Sequence, residues 1–378
     1  MLIGVKWLLL VMAAGACGSS SSAVDAGGSG DDGQIDDIDG AEPPARLVAY
    51  VSGGDDIAWY DIDRSTGALS AISSIAAFHT GANFLAVHGD HLYAVTSGDR
   101  VGAYSIDLAT AGLTFINDVG SGGSGPAHVS VDATGAFVLV ANYGSGHVAV
   151  MPVRGDGGLS PATQAFVAGA NAHQITTDPS NQYAVVPCLG DDKVAQYLFD
   201  DSTGTLTANA VPQLDTASDA GPRHIAFAPD GEHAYLINES DSTLSALSWD
   251  AATGRLAEIQ TVSSRASGAT GDNTCAEVLV HPSGAFVYGS NRGDDNIAVF
   301  SVDPSTGRLT LVEHESSQGM RPRNVAIDPS GTLLYAANQD SDTVVPFAID
   351  PATGRLSPTA SSITVPTPAF VGIVALPP

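Results

Sequence analysis

Seven side chains of the kinds that bind anions and move protons fall at matched points along this chain: His173, Arg223, His224, Glu239, Glu277, Arg292 and Arg323. Guanidinium groups grip carboxylates and phosphates through paired hydrogen bonds and stabilise developing oxyanions. A carboxylate or an imidazole beside them can take a proton from water. Lys and Arg total only 14 in a chain of net charge −27, so three arginines at one locus are not a consequence of composition. Charges gathered in a cleft are what an anion-binding or catalytic site requires. The same groups could instead satisfy one another as structural ion pairs, with the arginines neutralising Glu239 and Glu277.

Their equivalence is read from a repeat. The phrase Asp-x-x-Thr-Gly-x-Leu ends at Leu69, Leu206, Leu256, Leu309 and Leu356, with worn copies at Ala111-Gly112-Leu113 and Gly157-Gly158-Leu159. A period of roughly 44 to 53 residues marks a repeat architecture whose units cannot bury an apolar face alone. Each unit reads as four short strands. Arg323 to Ile327 is one, Asp328-Pro329-Ser330-Gly331 a turn, Leu333 to Ala337 the second and Thr343 to Ile349 the third. Asp350-Pro351-Ala352-Thr353-Gly354 then turns the chain into a fourth strand beginning at Leu356. Seven such units predict an all-β, seven-bladed β-propeller over residues 47–378. The first unit, from Leu47, lacks an inner strand and the segment Ala369 to Val374 is an inner strand without a blade. The C-terminal strand is therefore expected to close the first blade and remove both edges.

Aligned on their turns, the units give a column at the entry to the inner strand: Ala127, His173, Arg223, Ala276 and Arg323. The next column is His128, Gln174, His224, Glu277 and Asn324. The end of the second strand gives Asn142, Cys188, Asn238, Asn291 and Asn338, an amide expected to bond turn backbone. After it comes the varied column Tyr143, Leu189, Glu239, Arg292 and Gln339. Antiparallel connectivity puts these variable columns on one face, around the central channel. His128, His224 and Glu277 could suggest a metal, but ligands must converge to about 2 Å from one ion, which a wide channel disfavours. No metal and no cofactor are expected; Walker, dinucleotide and Gly-x-Ser-x-Gly motifs are absent.

The net charge argues against nucleic acid as a partner. Residues 1–17 read as an export signal, with Lys6 before the apolar Trp7 to Ala14. Ala14-Gly15-Ala16-Cys17 resembles a bacterial lipoprotein box, with Ala14 where Leu is usual. Lipidation of Cys17 and plain secretory cleavage are the two alternatives. Gly18 after the cysteine favours the outer membrane, so the protein is expected in the cell envelope, touching membrane only through a lipid anchor. Residues 18–46, rich in Ser, Gly and Asp, read as a disordered tether, not as a calcium loop. Cys188 and Cys275, two blades apart, are expected to be buried free thiols, and the protein a monomer.

Ala172-His173-Gln174, Leu189-Gly190-Asp191-Asp192, Gly221-Pro222-Arg223-His224, Asn238-Glu239, Ala276-Glu277-Val278, Ser290-Asn291-Arg292-Gly293 and Pro322-Arg323 resemble the seven-bladed β-propeller lactonases. That family includes bacterial 6-phosphogluconolactonase and a fungal muconate-lactonising enzyme. Ala337-Asn338-Gln339-Asp340-Ser341-Asp342 resembles it as well; Pro187-Cys188 departs from it, where an Asp usually precedes Leu-Gly. The resemblance implies His173, Arg223, Glu239 and Arg292 as the catalytic set, with His128, His224, Glu277, Arg323 and Gln339 as substrate-binding positions. It implies metal-free hydrolysis of a sugar-type or carboxylated lactone, with Glu239 or His173 as general base and Arg223 and Arg292 on the anion. The alternative is a non-catalytic envelope propeller that uses the same rim to capture an anionic ligand or a partner protein.

Overall fold

The computed structural model describes residues 45–79 and 81–377; the expectations for the signal, Cys17 and most of the tether lie outside them. Seven antiparallel sheets form the propeller. Blade 1 combines Arg46–Gly53, Asp56–Ile62 and Leu69–Ala76 with the C-terminal strand Pro368–Leu376 as its innermost member. That closure is in register from Arg46 opposite Leu376 to Ser52 opposite Phe370. Blades 2 to 7 occupy residues 82–120, 126–167, 172–215, 222–263, 275–316 and 322–364, each laid down from the axis outward. The C-terminal strand contacts the inner strands of both blade 7 and blade 2, which completes the ring.

The apolar core is divided among seven clusters, each shared by two neighbouring blades, because a single sheet buries its faces only against the next. The repeated turn is the latch between them. Its Asp accepts backbone N–H groups two and three residues on, as Asp350 does from Ala352 and Thr353. Its Gly adopts positive φ, 72° at Gly354, where L side chains pay for a close Cβ contact. A second-strand tyrosine of the preceding blade then donates its hydroxyl to the turn carbonyl. Tyr235 bonds Gly307 (3.1 Å), Tyr288 bonds Gly354 (2.9 Å) and Tyr335 bonds Gly67 (2.9 Å), the last across the closure. The worn copy obeys the same rule: Tyr50 bonds Ala111, which itself holds φ 62°.

The column of second-strand asparagines is structural. Asn142, Asn291 and Asn338 each donate 2.9 Å bonds to the carbonyl at the exit of the preceding blade. Cys188 and Cys275 are buried and free, and burial pushes both thiols up to about 12.

Candidate active site at the axial opening

Two local devices aim the variable residues. The first is a β-bulge near the start of the inner strands. Pro222 pairs with Asn238 and His224 with Ile237, so Arg223 is left unpaired between them. The same skip isolates Arg323, Ala127 and Asn83. His173 lies in the corresponding shift, between the Ala172–Cys188 bridge and Thr176 opposite Val185. A bulge re-aims its extra residue out of the ladder, here towards the axial mouth. The second device is an aspartate in the left-handed region after the second strand. Asp99, Asp192, Asp295 and Asp342 (φ 50° to 56°) accept the N–H of Gly125, Gly221, Arg321 and Thr367 respectively, at 2.6 to 2.9 Å. Each fixes the segment that leads into the next inner strand. Much of the acidic face is therefore turn architecture.

The two variable columns meet around one cavity of about 300 Å³, lined by Asn83, Gly125, Pro126, Ala127, Tyr143, His173, Glu239, Arg292 and Arg323. A hollow of about 720 Å³ at the seam of blades 7 and 1 is larger, but Asp55 and Asp56 are its only charged lining groups and no imidazole or arginine joins them. The smaller cavity holds the chemistry.

Glu239 is clamped. Arg292 Nη2 lies 2.7 Å from its Oε1 and Arg223 Nε 2.8 Å from its Oε2, the latter N–H not aimed along the contact. Burial alone would raise the Glu239 carboxyl, but the charges of Arg223 and Arg292 outweigh it and hold the group below the usual carboxylate range. Arg292 also donates to the Cys275 carbonyl at 3.0 Å. Arg323, half-buried in the cavity wall, has no hydrogen-bond or ion-pair partner among the described residues. Burial and then the neighbouring Arg292 lower it from its ordinary value. Burial, then the charge of Arg223, hold His173 well below the usual imidazole range, so it is neutral at pH 7. Its Nδ1 has no partner, and its ring meets Tyr143 edge-on at 5.5 Å.

The expected site residues separate into layers. His173, Glu239, Arg292 and Arg323 line the cavity. Arg223 lies behind Glu239, 2% exposed, and donates to the Ala276 carbonyl. His128, His224 and Glu277 belong to a buried floor, not to the mouth where the columns seemed to converge. The cause is strand parity: the bulge turns the first column up to the mouth, and the following residue points inward one layer below. His224 Nδ1 lies 2.7 Å from Glu277 Oε1, and Asn324 Nδ2 donates to Glu277 Oε2 at 2.6 Å. His128 packs on Phe84 at 4.3 Å, and Phe84 on Phe370 at 4.5 Å, which plugs the channel on the other side. Gln339 starts a short 3₁₀ turn, bonds the Arg321 carbonyl through its N–H and is absent from the cavity lining. Among the described residues no group of three His, Cys, Asp or Glu has metal-binding geometry.

Sequence reasoning missed Asn83 and Tyr143 as lining residues. Asn83 was legible only by extending the alignment into blade 2, and Tyr143 stood in the right column without a charge to mark it.

Comparison with known proteins places this arrangement. Residues 47–373 match the family model described as Lactonase, 7-bladed beta-propeller. The chain is 40% identical over 212 residues to a 6-phosphogluconolactonase of Bacillus subtilis, 53% of this chain and 60% of that one. It is 33% identical over 193 residues to one of Pectobacterium carotovorum, 51% and 58% respectively. The matches thus span about three fifths of these relatives' length. Among solved structures, the periplasmic gluconolactonase of Pseudomonas aeruginosa superposes with a TM-score of 0.81 at 30% identity, covering 89% of this chain and 100% of that one. A protein of Lactobacillus plantarum gives 0.80 at 29% identity, covering 87% and 99%.

Proposed function

This chain belongs to the seven-bladed β-propeller lactonase family, and from that premise we propose that it hydrolyses an aldonic-type lactone bearing an anionic or strongly polar arm. The observation that carries the reading is Arg323: an arginine without a hydrogen-bond or ion-pair partner among the described residues, facing a cavity that already holds Arg292, in a chain of net charge −27. Such a wall suits a ligand that brings its own negative charge.

His173 is the general base in this reading. Both Glu239 oxygens lie within ion-pair distance of a guanidinium, and a carboxylate held below its usual range is a poor proton acceptor. His173 is held low as well, by burial and then by Arg223, but it faces the cavity with Nδ1 unpaired among the described residues, and an anionic substrate offsets the Arg223 charge that weakens it as a base. Water attacks the lactone carbonyl carbon and gives its proton to His173. The oxyanion so formed faces Arg292 and Arg323. The ring C–O bond then breaks, the imidazolium returns the proton to the leaving alkoxide, and the product is a hydroxy acid. Glu239 fixes Arg223 behind it and Arg292 beside it, and offers an acceptor to a substrate hydroxyl.

Two relatives support the substrate class by name: 6-phosphogluconolactonase in Bacillus subtilis and gluconolactonase in Pseudomonas aeruginosa, the latter periplasmic. The second joins lactone hydrolysis to an exported setting, the one proposed here from the amino-terminal segment with its Cys17. Replacing Cys17 by Ala should release the protein from membranes.

The test is a pH-stat assay on a lactone panel with Arg292→Ala beside Arg355→Ala, which lies on the opposite face and pairs with Glu313. Loss confined to Arg292→Ala supports the site, and equal loss from both overturns it. Retained anion binding without turnover of any lactone would favour the non-catalytic envelope propeller.

A further inference from the structure

Glu277 is a buried carboxylate where its neighbours manage without one. The equivalent floor positions are Phe84 and Phe370, which are apolar, Gln174 and Asn324, which are neutral amides, and His128 and His224, which are imidazoles; none of the six is a carboxylate. The amides cap the next inner strand: Gln174 Oε1 accepts the Ile225 N–H and Asn324 Oδ1 the Val371 N–H. Backbone capping therefore needs no charge, and a buried charge costs far more than a neutral amide. The contacts of Glu277 are all with donors: His224 Nδ1, Asn324 Nδ2 and, at 3.3 Å, its neighbour Val278 N–H. Despite burial, the His224 and Arg223 contacts keep the carboxyl below its usual range.

An ionised carboxylate can only accept, so the network assigns the proton of neutral His224 to Nδ1 and leaves Nε2 as an acceptor. Arg223 Nη1 sits 3.4 Å from both ring nitrogens, and on its other side Arg223 Nε lies 2.8 Å from Glu239 Oε2, an ion pair without an aligned N–H. A carboxylate that fixes an imidazole, which in turn fixes a cation, is how metal ligands are oriented; here the cation is a guanidinium.

We propose that Glu277 and His224 are positioning residues that hold Arg223, and through it Glu239, at the wall of the cavity. They touch no substrate. The chain Glu277–His224–Arg223–Glu239 carries order from the axis of the ring to the site, and its effect on turnover rests on the lactonase reading above.

The test is a double-mutant cycle on kcat/KM. Glu277→Gln should lower kcat/KM about tenfold in the otherwise unchanged protein, in line with the ten- to hundredfold cost of losing such outer partners. In an Arg223→Gln background it should change it by less than about twofold, because residues that act as a unit are not additive. Glu277→Asp should recover part of the loss. Equal factors in both backgrounds, or no loss from Glu277→Gln, would overturn the proposal. If thermal melting shows that Arg223→Gln does not fold, His224→Gln takes its place, with the same expectation. If the wild-type protein opens no lactone, the lactonase reading fails, and the same cycle is read on inorganic phosphate binding by titration calorimetry. Coupling there, a threefold or larger change in Kd from Glu277→Gln that vanishes in Arg223→Gln, still supports the positioning chain; additive changes or none refute it.

Discussion

Arg292 of blade 6 reaches over the seam to Glu239 of the neighbouring blade 5, Nη2 to Oε1 at 2.7 Å, and so occupies the oxygen that a general base would need free. Glu239→Gln should therefore loosen the arginines without removing the proton acceptor. KM for an anionic lactone is expected to change more than kcat, and the acid limb of the pH–rate profile should survive. A profile that loses its acid limb in Glu239→Gln would return the base role to Glu239.

Arg323 lines the cavity without a hydrogen bond or ion pair among the described residues, so removing it tests binding apart from folding. Arg323→Ala should raise KM for a phosphorylated or carboxylated lactone by about ten- to a hundredfold, the range of one charge-assisted hydrogen bond. A neutral lactone should be affected much less. The melting temperature should hold, since burial and the Arg292 charge that disfavour the Arg323 cation outweigh its attraction to Glu239. Comparing steady-state kinetics on paired lactones with thermal melts checks both halves.

The buried histidines make stability depend on pH in a stated direction. Burial, joined by nearby positive charges, lowers His128, His173 and His224. In the unfolded chain these rings take protons near 6.5. Their contribution is thus fully present above that pH and is lost as pH falls below it, by up to about 1.4 kcal/mol per ring for each pH unit. Stability should decline between about pH 6.5 and 5, before most carboxylates titrate. His128→Phe places in blade 3 what blade 2 already has in Phe84, and should reduce that slope by about a third. Urea titrations at several pH values read the slope directly.

The latch between blades predicts matched losses. Tyr288→Phe and Tyr335→Phe each leave a turn carbonyl without its donor, at a cost of about 1 to 3 kcal/mol. Gly354→Ala should cost more. Its φ of 72° is unfavourable for alanine, and the new Cβ would lie 2.4 Å from Phe286 Cδ1. Equilibrium unfolding distinguishes the three.

The repeat made the fold readable. Five clear turns and two worn ones set the count of blades, and an unpaired inner strand at Ala369 to Val374 pointed to the closure seen between Pro368–Leu376 and Arg46–Gly53. The same internal alignment named the columns that line the cavity. It did not give their depth. Polar residues stand in both consecutive columns, Arg223 beside His224, His173 beside Gln174 and Arg323 beside Asn324. Only the bulge decides which points to the mouth and which into the floor. Nothing in the pattern announced that bulge, because it arises from pairing registers between strands. Tyr143 stayed hidden for a simpler reason: an uncharged ring carries no electrostatic signature, although it stands where blades 5 and 6 place Glu239 and Arg292.

The lactonase reading rests on His173 as proton acceptor in the axial cavity. It is met most directly by the initial rate of opening of a phosphorylated or carboxylated aldonolactone, in excess of the spontaneous rate, for the full chain and its His173→Gln variant at pH 6.5. Catalysed opening by the wild type and a loss of about 10²- to 10⁴-fold in the folded variant are expected. Equal rates from the two proteins, or no catalysis by the wild type, would contradict it.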